Sequence, residues 1–209
     1  MTMRKLMFGV LTAMTACASM AGTCSYAFAW FKNNPVNDFP VPVTLEEGVS
    51  GFSYADCASD GSDLRVSDGS ANLPYEIESW NPAGVSVVWV KVPSFSNATE
   101  LTFKWGADAV GIDAADTTDF WGPDAMAVVH FGGETAVNSV NGDVLAGEMS
   151  PEPSVQGNGV GMIRKGVLAK TGAAVQTYAA TTNQFTISFW IKTDARRGGE
   201  ANDGTYLLQ

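Results

Sequence analysis

The side chains able to do chemistry are few and thinly spread. His130 is the sole histidine, set in the strand-like run Val128-Val129-His130-Phe131. It reads either as a general base or metal ligand, or as a structural histidine with both ring nitrogens hydrogen bonded. One histidine excludes multi-histidine metal sites, and no Cys or Glu spacing around it completes a zinc motif. A Ser-His-Asp triad through it lacks the G-x-S-x-G elbow. The structural reading is therefore the expectation. Among the carboxylates, Glu46 and Glu47 are adjacent and would face opposite sides of a strand, whereas Glu76 and Glu78 share one face across Ile77. The latter pair reads as a solvated strand face. Asp60, Asp63 and Asp68, with Asn72 nearby, form an acidic loop region of hard oxygen donors suited to calcium. Their spacing departs from the twelve-residue calcium loop, and the same residue types make turns by bonding their own backbone. No other cofactor is implied. Trp80 and Trp190 fall on the more polar faces of their strands, where an indole can grip the C–H face of a sugar ring. The competing role for both is core.

The elements that must position these groups are strands. Leu101, Phe103 and Trp105 alternate with Thr102 and Lys104, a period of two with one apolar face. Val85 to Val92 is apolar on both faces, as expected where both are covered. Tyr75, Ile77 and Ser79 alternate with Glu76, Glu78 and Trp80, which predicts a third strand. Asp68-Gly69 and Asn81-Pro82-Ala83-Gly84 are turn formers between them, and Pro93 is expected to close the Val85 strand. Strands at such short intervals predict an antiparallel sandwich or barrel.

The motifs PVPVTLEEG, DGSDLRVSDG, LPYEIESW, VVWVKVP and FKWG occur in that order between about Trp30 and Trp121. Together they resemble the bacterial domain-of-unknown-function family twenty-three forty-one. The resemblance implies a β-rich module of exported or surface proteins, often placed before a jelly roll of the concanavalin A or laminin-G type. No catalytic residues are assigned to that family. Downstream, VVHFGGE and FTISFWIK resemble such a jelly roll. Polysaccharide-cleaving relatives of that fold carry E-x-D-x-x-E or E-x-D-x-E on one strand. Glu76-Ile77-Glu78 has no such central Asp.

The ends and joins complete the organisation. Arg4 and Lys5, an apolar run from Leu6 to about Ala21, and Ala27-Phe28-Ala29 read as a secretory leader cut after Ala29. Cys57 is then the only thiol expected in the mature chain. Formal net charge is −10; losing Arg4 and Lys5 and no acidic residue takes the mature chain from −10 to −12. Such acidity argues against nucleic acid and anionic membranes as partners, and no later stretch is apolar enough to cross a bilayer as a helix. Residues 107–124 are rich in Ala, Asp and Gly and read as a linker or long loop, and 132–161 as mostly loop. Strands are expected at 126–131, 167–169, 174–178 and 185–193.

The expected architecture is thus all-β: a leader (1–29), an antiparallel β-sandwich domain (30–106), a linker (107–124), and an incomplete concanavalin A-like jelly-roll segment (125–209). The expected role is a non-catalytic exported module for surface attachment or glycan binding, forming part of a larger protein. Its expected partner is a polysaccharide or cell-surface glycan, met outside the cell, at its surface or in the periplasm. The alternatives are the N-terminal part of a polysaccharide-active hydrolase and a purely structural spacer.

Overall fold

A computed structural model describes residues 22–29, 34–118, 120–131, 136–145, 150–153, 158–161 and 188. The chain is all-β and antiparallel. Its main body is a sandwich of two three-stranded sheets. One sheet has β1 (Thr23–Ala27) and β3 (Arg65–Ser67) on either side of β6 (Glu100–Lys104). The other has β2 (Val36–Glu46) and β4 (Tyr75–Ser79) flanking β5 (Val85–Phe95).

The period-two pattern explains the packing. Leu101, Phe103 and Trp105 are fully buried and meet Val88 and Val90 of β5 in one core. Val41 lies opposite Val90 and Val43 opposite Val88, so β2 adds its own apolar face at the same level. Pro40 and Pro42 sit in β2, an edge strand, where an absent N–H breaks no inner ladder. Pro93 does not close β5 as expected, since the strand runs on to Phe95. Pairing with β4 has already ended at Val90, so β5 is itself an edge there and tolerates the proline.

The sequence pattern misplaces two features of this body. A β-bulge lies between Ile77 and Ser79: Ile77 pairs with Val88 and Ser79 with Val87, leaving Glu78 and Ser79 opposite one residue. An extra residue inverts the alternation beyond it. Trp80 is therefore turned off the Glu76–Glu78 face and into the core, edge-on to Phe52 and Tyr54 at 6.1 and 5.2 Å. The second feature is β1, which lies inside the segment expected to leave with the leader. Its residues Thr23 to Ala27 pair with Lys104 to Glu100, and Cys24, Tyr26 and Phe28 are buried.

Beyond β6 the chain makes a 3₁₀ turn (Gly106–Ala109) and continues as an irregular strap tied to the sandwich. Arg65 Nε donates to Ile112 O at 2.7 Å, Asn72 Nδ2 donates to Asp113 O, and Ala109 and Phe120 are buried. A second small sheet follows in the order β7 (Val129–His130), β8 (Ala136–Asn138), β9 (Val144–Leu145). The hairpin of β10 (Ser150–Pro153) and β11 (Asn158–Gly161) comes next. Four strands thus occupy 132–161, which the Gly, Asn and Pro content had marked as mostly loop. Those residues serve the turns: Asn141-Gly142, with Gly142 at φ 76°, links β8 to β9. The strands expected at 167–169, 174–178 and 185–193 lie outside the described residues, Ser188 excepted.

Candidate functional site

The outer face of the β2–β5–β4 sheet carries the densest polar chemistry among the described residues. Register places Glu76 opposite Trp89, both pointing away from the sandwich core, and the bulge keeps Glu78 on that side. This is why β5 is apolar on both faces: its second face is covered as well. The strap delivers Trp121, β7 delivers His130, and the turn after β8 delivers Ser139.

His130 lies between the two carboxylates. Its Nδ1 is 3.3 Å from Glu78 Oε2 and its Nε2 3.3 Å from Glu76 Oε1, with the His130 side chain 13% exposed. Nε2 makes no well-aligned hydrogen bond, so its tie to Glu76 is chiefly electrostatic. The carboxylates are held from behind. Trp89 Nε1 donates to Glu78 Oε2 and Trp121 Nε1 to Glu76 Oε2, each at 2.6 Å, and Ser139 Oγ donates to Glu76 Oε1 at 2.5 Å. Both indoles also flank the imidazole, with centroids 5.9 and 5.6 Å away. That is within the ~6 Å over which an indole face attracts a cation.

Electrostatics follow from this packing. Burial pulls the His130 pKa down, but the bonds and charges of Glu76 and Glu78 outweigh it and raise it to about 9. Burial pushes Glu76 up, and the close imidazolium of His130 with the hydrogen bonds from Ser139 and Trp121 overcomes it and holds the carboxyl below its usual range. At neutral pH His130 is an imidazolium. It has no free lone pair with which to take a proton or bind a metal. The arrangement fixes charge in place.

A cavity of about 310 Å³ opens beside the cluster, lined by Tyr75, Phe120 and Trp121 and by Glu76, Thr117 and Ser139, among others. Aromatic walls with a few hydroxyls and one carboxylate make an amphipathic lining.

The residues expected to form sites are distributed otherwise. Trp80 is packed against the core, and Trp190 lies outside the described residues. Asp60 accepts from Ser62 N, which lowers its pKa, and Asp68 accepts from Ser70 N and Ala71 N; both make Asx turns. Asp63 bridges Ala58 N and Gly106 N at 2.9 Å each, tying its loop to the end of β6. The structure does not join the three: among the described residues no group of three or more His, Cys, Asp or Glu is placed to hold a metal ion. Cys57 is half-buried with its thiol donating to Ser53 O; burial, with Asp63, Asp56 and Glu47 nearby, pushes its pKa up to about 12.

The structural reading of His130 expected its ring nitrogens to be hydrogen bonded; instead Nε2 has no hydrogen-bond partner and the ring sits between two carboxylates, and Glu76 and Glu78 are not a solvated face. Trp89, Trp121 and Ser139 were not foreseen as partners. The usable signal was the doubly apolar β5, which requires a second covering layer. Among the described residues no helix is long and apolar enough to cross a membrane.

No curated protein and no solved structure matches the chain. Residues 60–126 match the family model described as a domain of unknown function (DUF2341), which supports that family for β3 to β6 and the strap bearing Trp121.

Proposed function

We propose that the protein is a non-catalytic exported module for surface attachment or glycan binding, with the cavity beside Trp121 as its sugar-contacting site. The observation that carries this is the lining: three aromatic side chains with Thr117, Ser139 and Glu76 in one concavity. Sugars present apolar C–H faces and hydroxyl rims, and such a lining answers both. At about 310 Å³ the space is at the small end of ligand pockets, suited to one unit of a chain. Export is supported by the leader pattern and by the acidity of the chain. A locked imidazolium fits a binding role better than proton transfer.

Retention of the exported protein on insoluble polysaccharides tests this reading. Thr117 is exposed at the cavity, so Thr117→Trp fills the space without touching the core. It should weaken retention about tenfold or more, about 1.4 kcal/mol, at an unchanged unfolding midpoint. Trp80→Ala should do the reverse, lowering the midpoint while the folded fraction still binds. Full retention by Thr117→Trp would remove the cavity from the proposal. If the wild type is retained by no polysaccharide, the spacer role remains, and the ion cluster joining the β2–β5–β4 sheet to the β7–β8–β9 sheet would serve it.

A further inference from the structure

Three stretches of the N-terminal region offer the small-x-small pattern that leader peptidases read: Ala16-Cys17-Ala18, Ser19-Met20-Ala21 and Ala27-Phe28-Ala29. Each cut gives a leader within the ~15–30 residues such segments span. A peptidase meets the chain extended and unfolded, so the tripeptides alone do not choose among them. The fold rules out the last, and of the other two Ser19-Met20-Ala21 ends directly before Gly22.

A cut after Ala29 deletes β1. Tyr26 and Phe28 are 4% and 7% exposed and pack edge-on to Phe103 and Phe95 at 5.4 and 5.3 Å. Gly22 is already part of the structure. Its carbonyl accepts from Trp105 N at 2.9 Å, and at φ 85° a Cβ there would sit 2.8 Å from Trp105 O. Thr23 Oγ1 donates to Asp108 Oδ2 at 2.9 Å. A cut after Ala21 leaves all of these contacts intact. It leaves Gly22, whose carbonyl the sandwich uses, at the new N-terminus.

Resting on the export reading above, we infer that the host's leader peptidase hydrolyses the Ala21–Gly22 bond. Water supplies the hydroxyl of the new Ala21 carboxyl and a proton to the new Gly22 amine, and the mature protein begins Gly22-Thr23-Cys24. The mature chain then carries two thiols, Cys24 and Cys57, with Cys24 fully buried.

The test expresses the full chain, tagged at its C-terminus, in a bacterium with an active export pathway. Protein from the periplasm or medium is subjected to N-terminal sequencing, intact mass and thiol counting after denaturation. The expected result is an N-terminus at Gly22 and two titratable thiols. Ala29→Leu should leave that N-terminus unchanged, whereas Ala21→Leu should abolish the Gly22 terminus. Exported protein beginning at Ser19 or at Trp30 overturns the assignment while export itself stands. A chain retained in the cytoplasm with its leader intact overturns both.

Discussion

His130→Ala should destabilise the protein by about 3–5 kcal/mol, the range for removing one partner of a buried ion pair. The cost arises from what stays behind. Glu76 and Glu78 remain 25% and 7% exposed, facing a gap, with Trp89 and Trp121 still holding them there. Adding Glu76→Gln and Glu78→Gln to His130→Ala should recover much of the loss, because the amides accept the same indole bonds without a buried charge. Urea unfolding of the three proteins measures this. A wild-type midpoint for His130→Ala would mean that the cluster contributes nothing.

The same cluster fixes the pH dependence. The folded-state pKa of His130 is raised from 6.5 to about 9, so its stabilisation is complete below pH 6.5 and is lost as pH rises through about 9. At about 1.4 kcal/mol per pKa unit this is on the order of 3 kcal/mol. Glu76 has the opposite sign: its contribution is present above its ordinary pKa of 4.5 and is lost as pH falls through the lowered folded value. Midpoints recorded from pH 6 to 10 should fall for the wild type and stay flatter for His130→Ala.

A chain starting at Trp30 should fail to unfold cooperatively, whereas one starting at Gly22 should show a single transition. Losing one buried phenylalanine costs about 3–5 kcal/mol, and β1 carries Tyr26 and Phe28 together, out of a total stability of about 5–15 kcal/mol. Deletion also strips one side of β6 of its ladder from Glu100 to Lys104, opening a paired strand to other chains. Far-ultraviolet circular dichroism against urea, with light scattering, follows both effects. Equal transitions for the two chains would show that β1 is dispensable.

Much of the sandwich was determined by the sequence alone, because strand alternation is a local property. Leu101-Thr102-Phe103-Lys104-Trp105 alternates in the structure as its residue types require, and the doubly apolar Val85 to Val92 has both faces covered. Turn residues marked the breaks because φ and hydrogen-bonding preferences belong to single residues. Tertiary structure decided what depends on the opposing strand. One bulged residue between Ile77 and Ser79 reversed the facing of Trp80, and nothing in LPYEIESW announces it. Glu76, Glu78, Trp89, Trp121, His130 and Ser139 come from five separate segments, so their meeting follows from packing and not from spacing. The leader region hid β1 for a related reason: Thr23 to Phe28 is small and apolar enough to suit a leader, and only pairing with β6 makes it core.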